Sequence, residues 1–172
     1  MRWLWLDRFT EFKSGSHAKG VKCVALDEEA VDEYCPGYNY LPATLIIEGL
    51  AQLGGILVCE HFDFSKRVVL AKVNRAVYHD LARPGDRLDY FAKLESAHAD
   101  GAVVSCTSQC EGKLQAEVDL MFAFLDSSRI GDQSLFNDGE LLVMLRLMKL
   151  FHVAQTADGQ PLPISPNLMQ VS

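Results

Sequence analysis

Leu41-Pro42-Ala43-Thr44-Leu45-Ile46-Ile47-Glu48-Gly49-Leu50-Ala51-Gln52-Leu53-Gly54-Gly55-Ile56-Leu57-Val58-Cys59-Glu60-His61 is the stretch whose reading decides the fold. Proline is favoured in a helix's first turn, where its missing N–H would go unpaired anyway, so Pro42 marks a start. From Ala43 the run is apolar enough for a buried helix. Thr44, Glu48, Gln52 and Gly55 recur at helical spacing and share one narrow stripe. Ile46, Ile47, Leu50, Leu53, Leu57 and Val58 cover most of the remaining circumference. Ionised carboxylates are seldom fully buried without a partner. Glu48 therefore reads in two ways: part of a solvated or interface stripe with Gln52, or a working carboxyl among apolar neighbours. Spacing alone leaves both open.

On either side of this helix the pattern is that of strands. Residues 4–13 and 20–26 read as two strands, separated by the turn-prone Ser14-Gly15-Ser16. A loop rich in turn formers and aromatics precedes the helix. Beyond the helix, strands are expected at 67–78, 87–97, 102–110 and 114–125, the last three forming a meander with short turns at 99–101 and 111–113. Two strands, a buried helix and about four more strands make an α+β fold, with the helix packed on one sheet face. One domain spans 1–126. Residues 127–172 are an extension, with a helix expected over 138–154, capped by Asn137 or Asp138. Pro161, Pro163 and Pro166 then disfavour regular structure. The apolar extension helix reads as a cover for an exposed apolar patch or an oligomer interface.

Composition narrows the function classes. A net charge of -7 argues against general nucleic-acid binding, which wants a basic face. The five cysteines form no CxxC pair and no zinc spacing, so they read as reduced thiols, and no metal or other cofactor is expected. The apolar start, Met1 to Leu6, is interrupted at once by Asp7-Arg8 and is too short for a signal peptide or membrane span. A cytoplasmic protein is expected.

Pro36-Gly37, Leu41-Pro42 and Leu45-Ile46-Ile47-Glu48-Gly49-Leu50-Ala51-Gln52 together resemble the hotdog-fold 3-hydroxyacyl-acyl carrier protein dehydratases of fatty-acid synthesis. Asp7-Arg8-Phe9 is similar to that family's opening strand, Arg83-Pro84-Gly85-Asp86-Arg87-Leu88 to its turn before a long strand, and Glu111-Gly112-Lys113 through Glu117 to its last hairpin. Several blocks in order are more specific than any one motif. The resemblance covers residues 3–126. It implies a curved antiparallel sheet wrapped around one long helix, and a homodimer with sheets joined edge to edge. It implies an acyl carrier protein or coenzyme A thioester as substrate, with Glu48 protonating the departing hydroxyl. Gly37, Pro42, Ala43, Thr44 and Gln52 are the implied substrate-binding positions, the helix-start N–H groups polarising the thioester carbonyl.

Two positions depart from the pattern. The family's histidine base stands fourteen residues before the carboxylate, and Tyr34 occupies that place. A phenol, with an ordinary pKa of ~10 against ~6.5 for imidazole, is a poor base at neutral pH. Ala43 replaces a glycine after the helix-opening proline. These departures keep two further readings beside the dehydratase: an acyl-thioester hydrolase using Glu48, and a non-catalytic acyl- or carrier-binding subunit. An acidic carrier protein calls for a positive docking patch, for which Lys72, Arg75, Arg83 and Arg87 are the candidates.

Overall fold

The computed structural model describes residues 3–28, 37, 39–125 and 139–169. The expected helix is present as α1, Ala43–His61. Pro42 sits one position earlier than expected. It is the N-cap, with φ −54° and ψ 137°, and Ala43 is the first helical residue. The proline ring suits this place because its φ is already near the helical value while its ψ keeps the chain extended.

Before α1 come strands β1 (Arg8–Lys13) and β2 (His17–Cys23). After it come β3 (Arg67–Tyr78), β4 (Arg87–Ala97), β5 (Gly101–Cys110) and β6 (Lys113–Leu125). The first two differ from the sequence-based bounds. β1 starts only at Arg8: Asp7 N–H still reaches the Val21 carbonyl of β2 (2.9 Å), but Trp5 N–H turns to the Gln52 side-chain oxygen of α1 at 2.9 Å. β2 begins three residues early, since the turn closes with Lys13 opposite His17.

A seven-stranded sheet results, in the order β3-β6-β5-β4-β2-β1-β7, where β7 is the short Ala154–Gln155. Every pairing is antiparallel except that of β7 with β1. Period-two alternation turns one face inward: Leu88, Tyr90 and Ala92 on β4, Ala102, Val104 and Cys106 on β5, Val118, Leu120 and Phe122 on β6 are all buried. The helix packs against β2 through β6, so the sheet wraps around it. By length and composition α1 could cross a bilayer, yet it is the core helix of this sheet.

Close approach of helix and sheet depends on Gly49. A Cβ there would lie 2.5 Å from the Trp5 carbonyl oxygen and 2.6 Å from the Tyr90 ring, closer than atoms can pack. Gly54 faces Val104 in the same way, though less tightly (3.1 Å).

The extension is helical, but in two pieces. α2 (Glu140–Leu147) ends at Met148, Lys149 turns the chain with φ +59°, and a single turn α3 (Leu150–Val153) leads into β7. The one continuous helix expected over 138–154 is thus broken at Lys149. The N-cap of α2 is Gly139, with no side-chain cap; Asn137 and Asp138 lie outside the described residues. Tertiary bonding accounts for the break: the Met148 carbonyl accepts from Phe9 N–H of β1 (2.9 Å), so it leaves the helical ladder. The chain then returns to α1, where the Asn167 side-chain amide donates to the Asp63 carbonyl at 2.7 Å.

Candidate active site

The polar stripe of α1 is real. Glu48, Gln52 and Gly55 are half-buried and Thr44 is exposed, while Leu45, Leu50, Leu53 and Leu57 face the core. Glu48 and Gln52, one turn apart, are joined: the Gln52 amide nitrogen donates to Glu48 Oε1 at 2.9 Å. The same amide donates to the Trp3 carbonyl (2.9 Å) while its oxygen accepts from Trp5 N–H. Gln52 therefore fixes one carboxyl oxygen of Glu48 to the backbone of the N-terminal segment.

Glu48 opens onto a cavity of about 450 Å³. Its long wall is α1, through Gln52, Gly55, Ile56 and Cys59. Val68, Val69 and Leu70 of β3 form a second wall, Trp3 and Leu4 a third, and Met144 with Met148 of the extension a fourth. The volume suits a small organic ligand, and a few polar groups in an apolar lining is the usual composition of such sites. Cys59 adds no nucleophile, because burial pushes its thiol up to about 12 and keeps it protonated.

At the start of α1, Leu45 and Ile46 N–H both close onto the Pro42 carbonyl, at 2.9 and 3.3 Å. The N–H groups of Ala43 and Thr44 have no acceptor among the described residues, and both residues are exposed. They offer two donors at the positive end of the helix dipole. Tyr78 at the end of β3 steadies this turn by donating from its hydroxyl to the Ala43 carbonyl (2.8 Å). Gly37 is exposed with φ +85°, a left-handed conformation that favours glycine.

Tyr34 lies outside the described residues. Among the described residues no histidine lines the cavity. His79 is hydrogen-bonded to Glu117 (3.0 Å) on the outside of the sheet, and His98 stands in the turn between β4 and β5. The four basic residues do not form one group. Lys72 and Arg75 are on β3 and Arg87 opens β4, with β6 and β5 between those strands. Arg75 reaches Glu117 at 3.5 Å and Arg87 reaches Asp89 at 2.6 Å. The His79 hydrogen bond, with Arg75 beside it, holds the Glu117 carboxyl below the usual carboxylate range. Arg83 is exposed in the turn next to Ala82, whose carbonyl accepts from Leu41 N–H (2.7 Å), and so lies near the start of α1.

Sequence reasoning missed the residues that close the cavity. Trp3, Met144 and Met148 carry no motif, and the spacing of the two methionines at i and i+4 was legible only as an apolar helix face. It also missed the buried Lys22, which binds Glu28, lies 3.6 Å from Asp7 and sits 5.5 Å from the centre of the Trp5 ring. Lys22 thus packs on the Trp5 ring, while Gln52 holds the Trp5 backbone.

No protein-family model matches the chain. Among curated proteins it is 30% identical over 129 residues to the 3-hydroxyacyl-(acyl-carrier-protein) dehydratase FabZ of Aliarcobacter butzleri (strain RM4018), covering 72% of this chain and 88% of that protein. The protein of the same name from Caldicellulosiruptor saccharolyticus is 31% identical over 121 residues, covering 70% and 86%. Two solved structures share the fold. The dehydratase heterocomplex ApeI:P from Xenorhabdus doucetiae superposes with a TM-score of 0.62 at 16% identity, covering 74% of this chain and 86% of that one. The smu.793 protein from Streptococcus mutans UA159, bound to acetyl CoA, gives 0.57 at 14%, covering 69% and 87%. The fold is the hotdog fold, and at this identity and coverage the chain belongs to the FabZ family of 3-hydroxyacyl-acyl-carrier-protein dehydratases.

Proposed function

We propose that this protein binds a 3-hydroxyacyl thioester and eliminates water from it, with Glu48 as the group that touches the 3-hydroxyl. The observation that carries this reading is one carboxylate, fixed by Gln52, opening onto a mostly apolar cavity in a chain of the dehydratase family. In the elimination the proton on C2 leaves to a base and the C2–C3 double bond forms. The C3–O bond breaks, and the hydroxyl departs as water on a proton given by Glu48. Negative charge builds on the thioester oxygen as C2 loses its proton, and the N–H groups of Ala43 and Thr44 are suited to receive it. Tyr34 stands at the family's base position, where a phenol, a poor base at neutral pH, takes an altered role. A carrier protein or coenzyme A would approach past Arg83, beside the helix start.

We infer also that two copies assemble through β3. Among the described residues this 12-residue strand is an edge of the sheet, with Leu70 38% exposed, and long edge strands invite pairing. Its first residues wall the cavity, so a partner there would seal it and bring a second helix start toward Glu48.

Incubation of a 3-hydroxyacyl thioester, and of the trans-2-enoyl product for the reverse reaction, tests the proposal. Turnover is expected, and Glu48→Gln lowers it about 10²- to 10⁴-fold while the fold is kept, in line with loss of a general acid. Release of free thiol that is lost in Glu48→Ala assigns a hydrolase instead. Tight acyl binding with neither product assigns a binding subunit.

A further inference from the structure

The cavity has a direction. Trp5 N–H is bonded to Gln52 and the Ser14 hydroxyl to Glu60 (2.7 Å), so the chain through β1 runs alongside α1 toward its C-terminal end. Phe9 lies between these two ties, and Phe9 N–H holds the Met148 carbonyl. Met148 is therefore past Gln52, toward Cys59. β3 runs the opposite way: Tyr78 meets Ala43 at the helix start, and Val68 to Leu70 stand near the helix end. Between Glu48 and Cys59 the helix rises about 16 Å at 1.5 Å per residue. Glu48 stands at the end nearer the helix start, and the two methionines of α2 stand at the other.

We propose that Met144 and Met148 form the closed far wall of the acyl cavity and set the longest chain the protein accepts. This rests on the reading that the cavity takes an acyl chain. Met144 and Met148 are one helical turn apart and both line the cavity, while Val143 and Leu147 on the other face of α2 are exposed. The wall is fixed in place. Leu145, fully buried, anchors α2 in the core; Met148 is tied to Phe9, and β7 pairs with β1. An alkyl chain entering past Glu48 gains with each methylene it buries, about fourfold in affinity, until it meets the wall that the anchored segment holds in place. Methionine suits the position: unbranched and apolar, it fills an irregular end without a polar atom that needs a partner.

The experiment measures affinity for a series of S-alkyl-pantetheine thioethers of increasing chain length, which cannot react, with wild type and variants at Met144. Met144 is the partly buried member of the pair, so it changes with the least cost to folding. Met144→Trp shortens the preferred chain, and the longest wild-type ligands lose at least tenfold while short ones are unchanged. Met144→Ala makes room for about two methylenes, so chains longer by that amount gain roughly tenfold. Val143→Ala, on the exposed face, leaves the profile as it was. If Met144→Trp does not fold, Met144→Phe takes its place. An unchanged length profile in folded Met144 variants overturns the proposal, as does a wild type that binds no acyl chain of any length. Because binding needs no turnover, the two readings fail separately. A Met144-dependent cutoff without dehydration leaves the ruler standing and removes the dehydratase, and dehydration with an unaltered profile does the reverse.

Discussion

The two ends of the cavity are held by different physics. At the end with the acid, three hydrogen bonds from one side chain, Gln52, bind α1 to the N-terminal segment and orient Glu48. At the end with the methionines, burial does the work: Leu145 and Leu150 are fully enclosed, and Met148 is tied to β1 through its backbone carbonyl. Hydrogen bonds are directional and fix one carboxylate oxygen in space, as an acid requires. Apolar packing is indifferent to orientation but sensitive to volume, as a barrier to chain length requires. The division can be broken at either end, and the two should respond in different currencies, stability at one and turnover at the other.

The largest stability loss is expected at the methionine end. Leu145→Ala empties a fully buried site and should cost about 3 to 4 kcal/mol, a value set by how far the surroundings collapse. Turnover of a short-chain substrate per folded molecule should stay near wild type, read by denaturant unfolding beside the dehydration assay. If short-chain turnover falls along with stability, the two ends are not separable. Next is the contact between α1 and the sheet. Gly49→Ala thrusts a methyl against the Trp5 carbonyl and the Tyr90 ring, and overpacking of this kind should cost about 2 kcal/mol or more. Because Gly49 adjoins Glu48, that variant should also lower turnover, which distinguishes it from Leu145→Ala.

Much of this was legible in the sequence, for physical reasons that differ by region. β3 and β4 fell where expected because β3 is rich in valine, β4 alternates more and less buried residues over most of its length, and Pro84-Gly85-Asp86 supplies its own turn. Gly85 takes φ +96°, and the Asp86 carboxylate accepts from Arg83 N–H at 2.7 Å. The long helix and its Thr44-Glu48-Gln52-Gly55 stripe followed from the 3.6 period. What escaped was set by tertiary partners that leave no local mark. Lys149 adopts a left-handed conformation without being glycine, and nothing in Leu147-Met148-Lys149-Leu150 marks a break; the cause is a hydrogen bond from Phe9, about 140 positions earlier. Lys22 reads as the polar residue of an alternating strand, yet it is buried because Glu28 curls back to meet it. Of the cavity lining, Glu48 and Gln52 fell on the stripe that helical spacing marks. The cavity's far wall was not legible, because two methionines in an apolar helix have many uses.

A smaller loss is expected at the acid end. Gln52→Leu keeps the volume but strips Trp5 N–H of its acceptor, and a buried donor without a partner should cost about 1.5 kcal/mol. Glu48 loses the amide that orients it, so turnover should drop roughly tenfold while the acyl-length profile holds. Loss of turnover with full stability would mean that water replaces the amide at Trp5. A shifted length profile would mean that the N-terminal segment, and not α2, bounds the cavity.

The smallest change is at Tyr90, which backs the acid end from within the sheet. Its hydroxyl is buried and has no hydrogen-bond partner among the described residues, so it adds desolvation cost without a compensating bond. Tyr90→Phe should therefore be neutral or stabilising at pH 7, by up to about 1 kcal/mol. Burial, and then the nearby Asp7 and Glu28 carboxylates, push the phenol well above its ordinary value. The folded chain thus holds this proton more tightly than the unfolded chain does. That preference is fully present below the unfolded value of ~10 and is lost as pH rises beyond it. Above pH ~10 the wild type should lose stability faster than Tyr90→Phe, so the gap between the two unfolding curves widens with alkali. Destabilisation by Tyr90→Phe at neutral pH would show that the hydroxyl does have a partner. Parallel curves would show that it is hydrated, and the packing of Gly49 on Tyr90 would then be looser than the contact distances imply.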